Sequence, residues 1–210
     1  LGKSPMKKRE LQQKIKIFKD MEDGALSTDV NLQFLTKSQQ QKLRELKIKF
    51  TQKLKQLDQK LLDDMFRDFK TYYIYNTNAI EGNTLTLEET HLLLNENKTP
   101  EGKDLREIYD HLNEKKTFDS ILAAKPEISI KSMIDIHARL MKDIDARTGF
   151  RKHNVRVVGA EFTPTAAEYV FTDMNLLLKW YQQHKSSLHP LILTSLFHEK
   201  FERIHPFYDG

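Results

Sequence analysis

Apolar residues recur at steps of three and four along much of this 210-residue chain, as they do in amphipathic helices. The longest such stripe begins near Ser38 and consists of Leu43, Leu46, Phe50, Leu54, Leu57, Leu61 and Met65. Its mean spacing is nearer to the ~3.6 residues of a straight helix than to the ~3.5 of a coiled coil. We expect this helix to pack on the domain; a dimerising or partner-binding helix is the alternative.

Start and stop signals divide the following residues into further helices. Gly82 with Asn83 predicts a helix end, and Thr86 before Leu87-Glu88-Glu89 predicts a capping box that opens the next helix. The same periodicity predicts helices over about 103–122, 130–140, 165–184 and 190–204. His137 lies on an apolar helix face, which favours a packed core histidine over a catalyst. The predicted fold class is mainly α.

One stretch, residues 148–164, departs from the helical pattern. The β-branched residues Val155, Val157 and Val158 favour a strand. Gly159-Ala160 favours a turn, and Glu161-Phe162-Thr163 favours a second strand. We therefore predict one short β-hairpin here. An exposed hairpin edge can pair with an added strand from another polypeptide, although a packed connector hairpin is compatible with the same pattern.

Composition restricts the classes of protein to which the chain can belong. There are no cysteines, so disulfides and thiolate metal sites are excluded, and a reducing cytoplasm is the expected location. No apolar stretch approaches the roughly 20 residues of a transmembrane helix, so no membrane partner is expected. The net charge of +4 is too mild to argue for nucleic acid. Basic residues are concentrated in residues 1–20, where a solvated end is expected and contact with nucleic acid or an acidic partner is the alternative.

The last ten residues carry the most distinctive chemistry. An apolar helix ends at Ile204, and His205 and Pro206 follow, where the proline cannot continue a regular helix. A histidine can accept a proton near neutral pH, and Asp209 offers the oxygen ligands that Mg²⁺ prefers. Gly210 suits a backbone turn that directs N–H groups at phosphate. The sequence therefore predicts a loop in which His205 and Asp209 converge on a ligand.

The segment His205-Pro206-Phe207-Tyr208-Asp209-Gly210 resembles the first six residues of the Fic motif, His-Pro-Phe-x-Asp/Glu-Gly-Asn-Gly-x-x-Arg. Upstream, Thr77-Asn78-Ala79-Ile80-Glu81-Gly82 resembles the inhibitory motif of the same family, Ser/Thr-x-x-x-Glu-Gly/Asn. The predicted hairpin resembles the family's flap in position and pattern. The three signals follow the family's order, and the resemblance extends from about Leu62 to the end. The remainder of the Fic motif would lie beyond Gly210, and we expect the natural chain to continue.

The resemblance implies a Fic-like helical bundle and a protein adenylyltransferase, which moves AMP from ATP to a Ser, Thr or Tyr hydroxyl of a target protein with Mg²⁺. It implies that His205 accepts the hydroxyl proton, Asp209 holds Mg²⁺ and Gly210 begins the ATP-binding turn. Glu81 would inhibit the enzyme by pairing with the arginine of the full motif. The implied target-binding flap consists of Val157, Val158, Gly159, Ala160 and Glu161.

We accordingly divide the chain into a helical N-terminal extension at 1–60 and a Fic-like domain at 61–210. Assembly into a homo-oligomer is compatible with this division. Two alternatives remain open at this point. One is a non-catalytic helical module that binds a protein or, through its basic N-terminus, nucleic acid. The other is a related Fic phosphotransfer or phosphocholination chemistry on the same scaffold.

Overall fold

The computed structural model describes residues 35–157 and 159–210. The basic residues 1–20 and Val158 of the predicted flap lie outside the described residues. The described chain forms seven α-helices: α1 (Lys37–Gln56), α2 (Gln59–Ile80), α3 (Leu87–Glu96), α4 (Leu105–Ala124), α5 (Ile130–Leu140), α6 (Val170–His184) and α7 (Pro190–Ile204). A short 3₁₀ helix at Ala167–Tyr169 leads into α6. The prediction of a mainly helical fold is confirmed.

The apolar stripe that begins near Ser38 belongs to two helices, and the prediction of one long helix is wrong. Asp58 caps the N-terminus of α2, because its side chain accepts a hydrogen bond from the Leu61 backbone N–H at 2.9 Å. The cap satisfies an amide that would otherwise have no partner at the start of a helix, and so it separates α2 from α1. The apolar spacing continues across the break, which explains why periodicity alone did not reveal it.

The described residues divide into two compact units, 35–55 with Leu176–Glu202, and Gln56–Asn175 with Arg203–Gly210. In the described part of the first unit, the ring of Tyr181 meets that of Phe197 edge-on at 5.7 Å. Among the described residues of α1 none is buried, and Leu46 and Phe50 of its stripe are more than half exposed. The boundary predicted between residues 60 and 61 stays a prediction.

The second unit contains the site and has its own core. α2, α3 and α4 pack together around five buried side chains: Ile74, Leu85, Leu93, Leu94 and Ile108. The predicted capping box at α3 is present, with Thr86 and Glu89 each accepting a hydrogen bond from the other's backbone N–H. The predicted stop after α2 is also present, because Gly82 has a φ of +91° and the Asn83 N–H donates to the Asn78 carbonyl at 3.0 Å. Local start and stop signals thus fix the ends of these helices.

The predicted hairpin is not confirmed, because the described residues of 151–166 contain no strand. One turn is present, in which the Ala160 N–H donates to the Val157 carbonyl at 3.3 Å and Gly159 has a φ of +82°. Residues on both sides of this turn line a cavity of about 350 Å³. Pro164 has no backbone N–H that could join a strand pair. The backbone N–H of the next residue, Thr165, donates to the Arg203 carbonyl at 3.3 Å. This stretch is an open loop with a turn at its tip.

Within the described residues, no helix is both long and apolar enough to cross a bilayer.

Candidate active site

The segment His205–Gly210, which we call the motif loop, begins where α7 ends. His205 has a φ of +49°, in the left-handed region that non-glycine residues seldom adopt, and its side chain is partly exposed. Pro206 follows it and is buried. A residue before proline is disfavoured in the right-handed helical region, so the helix cannot continue through His205. The predicted loop at a helix end is present.

Arg151 binds the backbone of the motif loop through hydrogen bonds to its carbonyls. Its side chain is only 2% exposed, and its guanidinium Nε donates to the His205 carbonyl at 2.7 Å. Its backbone N–H donates to the Pro206 carbonyl at 2.9 Å. Burial lowers the pKa of Arg151, but an arginine side chain keeps its charge in proteins. No periodic or motif signal in the sequence marks Arg151, so its role was not predicted.

Phe207 fixes the middle of the loop by packing inward. Its ring stacks on His137 with centroids 4.0 Å apart and planes within 7°, and it meets Phe150 at 5.5 Å. His137 is 2% exposed, so the prediction of a packed core histidine is confirmed. Burial lowers the pKa of His137, which favours a neutral ring. A neutral ring that donates from Nε2 to the Asp209 carbonyl, 2.9 Å away, ties α5 to the motif loop.

The Asp209 carboxylate faces α4. Arg106, near the start of that helix, donates from Nη2 to Asp209 Oδ2 at 2.5 Å, and this pair raises the pKa of Arg106. The other carboxylate oxygen accepts a hydrogen bond from the Gly210 N–H at 2.9 Å. Gly210 has a φ of +86°, and a Cβ there would lie 2.9 Å from Met141 Cε. Glycine therefore suits the backbone angle at this position, and any side chain would have to displace the flexible end of Met141.

The segment Thr77–Gly82, which we call the inhibitory segment, ends helix α2. Glu81 is its C-cap, and within the described part of the chain the exposed carboxylate has no hydrogen-bond or ion-pair partner. The amide of Asn78 donates to Glu114 Oε2 of α4 at 2.6 Å. Burial raises the pKa of Glu114 to about 7, a shift that the Asn78 hydrogen bond opposes. Glu114 was not predicted as a site residue, because its position in a helix resembles that of an ordinary surface acid.

The motif loop and the inhibitory segment border the same cleft, which has a volume of about 860 Å³. Its lining includes six acidic residues, Glu81, Asp104, Glu107, Asp110, Glu114 and Asp209, together with Arg106 and Gly210. The fold thus brings three of the predicted site residues, Glu81, Asp209 and Gly210, to one cavity. His205 and the predicted flap residues are not among the lining residues. The described residues contain no group of three or more His, Asp or Glu side chains arranged to hold a metal.

The fold and the motif loop resemble those of a known protein family. Residues 127–210 match the model of the Fic/DOC family, so the chain contains a Fic domain over these residues. Among solved structures, a Fic domain containing signaling protein from Bacteroides thetaiotaomicron has a TM-score of 0.68 at 25% identity, over 76% of this chain and 64% of that one. Fic-1 from Caenorhabditis elegans has a TM-score of 0.57 at 28% identity, over 71% of this chain and 45% of that one.

Curated relatives give the resemblance a more particular form. The protein adenylyltransferase Fic of Drosophila ananassae is 34% identical over 144 residues, which is 66% of this chain and 29% of the relative. The protein adenylyltransferase fic-1 of Caenorhabditis elegans is 30% identical over 152 residues, which is 70% of this chain and 30% of the relative. The chain therefore spans less than a third of the length of these relatives.

Proposed function

We propose that this chain is the catalytic part of a protein adenylyltransferase that uses ATP and Mg²⁺ and is inhibited by Glu81. The observation that supports the proposal most directly is the cleft that Glu81, Asp209 and Gly210 share. Glu81, the proposed inhibitor, and Asp209, the proposed cation ligand, border the same cavity. An inhibitory residue of a nucleotide site has to lie next to that site. The relatives at 30% and 34% identity carry the name protein adenylyltransferase, which supports the same reaction class.

His205 is the general base of the proposed reaction. It accepts the proton of a target Ser, Thr or Tyr hydroxyl while the hydroxyl oxygen attacks the α-phosphorus of ATP. The new bond joins that oxygen to AMP, and the bond that breaks releases pyrophosphate. The imidazole then holds the proton as imidazolium until solvent removes it. The target segment is presented by the turn that includes Val157, Gly159, Ala160 and Glu161.

Asp209 is the proposed Mg²⁺ ligand, and its surroundings fit that ion. Its carboxylate is partly exposed and lines an acidic cleft, and Mg²⁺ in phosphate-transfer sites is commonly held by one or two carboxylates together with substrate phosphates. The bound ion supplies positive charge that neutralises the phosphates. Gly210, with its positive φ, is the proposed start of the ATP-binding turn.

The test uses the protein at its natural length with Mg²⁺ and ATP labelled on the α-phosphate. We expect label on protein to be low in the wild type, to rise in Glu81→Gly and to disappear in Glu81→Gly with His205→Ala. Glu101→Gly is the matched control, because Glu101 is an exposed acid in a turn and does not line the cleft. It should leave the label unchanged.

A parallel incubation with γ-labelled ATP separates the reaction classes. Transfer of γ-label alone would replace adenylylation with phosphoryl transfer. ATP binding without any transfer in Glu81→Gly would contradict nucleotide transfer. No ATP binding in any variant would favour a helical interaction module. Equal labelling by wild type and Glu81→Gly would contradict the inhibitory role of Glu81.

A further inference from the structure

We propose that Arg151 is the positioning residue for His205, holding the histidine in its left-handed backbone conformation so that the imidazole meets the attacking hydroxyl. This inference rests on the proposed role of His205 as general base. Arg151 does not touch substrate in this proposal. It acts on catalysis through the backbone that carries the base.

A single arginine binds the backbone carbonyls of three successive residues around His205. The guanidinium Nη2 donates to the Ile204 carbonyl at 3.2 Å, and Nε donates to the His205 carbonyl at 2.7 Å. The Arg151 backbone N–H donates to the Pro206 carbonyl at 2.9 Å. His205 is the middle residue of the three. Its carbonyl and both neighbouring carbonyls are therefore fixed by Arg151, which leaves the histidine backbone little freedom to rotate.

Two further hydrogen bonds fix the arginine itself. Nη1 donates to the His153 carbonyl at 3.0 Å, and Nη2 also donates to the Thr165 carbonyl. A planar guanidinium with donors directed at fixed acceptors has a defined orientation, which the flexible ammonium group of lysine cannot reproduce. Arg151 thus connects the motif loop to both ends of the open loop between α5 and α6.

The acceptors around the Arg151 guanidinium are suited electrostatically to a buried cation. The hydrogen-bond partners of the Arg151 side chain in the described part of the chain are all backbone carbonyls, with no carboxylate among them. The last carbonyls of a helix lack intrahelical donors and carry partial negative charge. A buried cation is costly unless it is hydrogen-bonded, and here the end of α7 and its flanking loops supply the acceptors. These acceptors allow an arginine to be buried next to His205, the first residue of the motif loop.

The conformation of His205 explains why a clamp is needed. Its φ of +49° is strained for a residue with a Cβ, and Pro206 restricts its backbone further. Such a conformation persists only where surrounding contacts determine it. If the clamp is lost, the backbone can relax and carry the imidazole away. A displacement of about 1 Å from reactive geometry can lower the rate about 100-fold.

The experiment compares Arg151→Lys and Arg151→Gln in the Glu81→Gly parent at natural length. Each variant is assayed for ATP-binding stoichiometry, for KM of ATP, and for kcat per molecule able to bind ATP. We expect kcat to fall roughly 100-fold in Arg151→Gln, with KM for ATP within about twofold of the parent. Arg151→Lys should recover part of kcat, because it keeps the charge but not the planar fork.

A matched control separates positioning from general loss of stability. Thr90 is completely buried, and its hydroxyl lies 3.1 Å from His111 Nε2, away from the motif loop. Thr90→Ala removes a buried polar contact as Arg151→Lys does. We expect Thr90→Ala to lower the melting temperature and to leave kcat per ATP-binding molecule unchanged.

A spectroscopic readout tests positioning independently of activity. In protein with isotope-labelled histidine, the ring signals of His205 are assigned by their loss in His205→Ala. We expect those signals to shift or split in Arg151→Lys and to stay unchanged in Thr90→Ala. Unchanged signals in Arg151→Lys would overturn the inference, even if the parent shows no transfer and the proposed function itself fails.

The kinetic outcomes are equally decisive. Unchanged kcat in both Arg151 variants would overturn the inference. Loss of ATP binding in both would show that Arg151 supports the fold as a whole, and this too would overturn a specific role in positioning His205. A fall in kcat at constant KM, together with altered His205 signals, would support it.

Discussion

The motif loop and the inhibitory segment border the same cleft, but polar contacts of different kinds hold them. The motif loop is held by donors that bind backbone carbonyls: Arg151 binds the His205 carbonyl and His137 lies within hydrogen-bonding distance of that of Asp209. The inhibitory segment is held through a side chain, the Asn78 amide, which donates to the buried carboxyl of Glu114. The first set of contacts consists of donors bound to backbone carbonyls, whereas the second depends on an acid whose charged form is disfavoured by burial.

This difference separates a fixed part of the site from an adjustable one. Burial lowers the pKa of His137 and raises that of Glu114 to about 7. The neutral ring of His137 is therefore maintained at neutral pH, while Glu114 changes charge close to it. We expect the motif loop to resist changes of condition and the inhibitory segment to respond to them.

The largest effect is expected from breaking the packing of the motif loop. Phe207→Ala removes a buried ring that stacks on His137 at 4.0 Å. We expect the free energy of unfolding to fall by about 3 kcal/mol, as for other buried aromatic truncations. Urea denaturation measures it. Ile80→Ala in the inhibitory segment is the control, because Ile80 is 82% exposed, and it should change stability by less than about 0.5 kcal/mol. Equal losses would contradict the contrast.

A pH titration tests the adjustable anchor. The folded state raises the pKa of Glu114 from 4.5 to about 7, so between those values it binds more protons than the unfolded state. The contribution of Glu114 to stability is therefore complete below pH 4.5 and is lost as pH rises through 7. We expect Glu114→Gln to exceed the wild type in stability by about 2 kcal/mol at pH 8, and to lose that advantage by pH 5.

A second variant sharpens this result. The Asn78 hydrogen bond lowers the pKa of Glu114, so Asn78→Ala should move the pH-dependent window upward. Denaturation curves collected from pH 5 to pH 9 measure both variants. Parallel stability profiles for wild type and Glu114→Gln would show that Glu114 does not control this segment.

Two glycines, one in each region, allow a matched comparison of space. Gly82 and Gly210 both have positive φ, at +91° and +86°. A Cβ at Gly82 would meet nothing within 4 Å, whereas at Gly210 it would lie 2.9 Å from Met141 and 3.4 Å from the His137 ring. We expect Gly82→Ala to cost about 1 kcal/mol from backbone strain and Gly210→Ala about 2 kcal/mol. Thermal unfolding measures both, and equal costs would mean that the Met141 side chain moves aside freely.

The smallest effect is expected at the Arg106–Asp209 pair. If Asp209 holds Mg²⁺, the ion must displace the Arg106 guanidinium, which lies 2.5 Å from Oδ2. Both side chains are substantially exposed, so the pair is weak. We expect Arg106→Gln to raise Mg²⁺ affinity about two- to fivefold in calorimetric titration, and Asp209→Asn to abolish binding.

Lys103→Gln is the control for that titration. It removes the same charge from a residue that pairs with Glu89 at 3.3 Å and does not contact Asp209. Its effect should be smaller than that of Arg106→Gln. Identical effects of the two variants would attribute the change to net charge and not to displacement of a specific partner.

The sequence by itself determined the features that depend on neighbouring residues. The ends of α2 and α3 follow from Gly82 and from the Thr86–Glu89 capping box, and the loop after α7 follows from Pro206. Each of these signals acts within about one helical turn, where backbone angles and caps are set by local chemistry. The burial of His137 was also predictable, because its position on an apolar helix face depends on spacing alone.

Only the tertiary structure decided the contacts that complete the site. The Arg106–Asp209 pair joins residues 103 positions apart, the Arg151–His205 contact spans 54, and the Asn78–Glu114 contact spans 36. The predicted hairpin is not confirmed among the described residues, and the N–H groups of Arg151 and Thr165 on either side of it donate to the carbonyls of Pro206 and Arg203, which are distant in sequence. Local patterns determine which elements form. The partner of a buried arginine or carboxylate is determined by which elements the packed core brings together, and no local pattern encodes that choice.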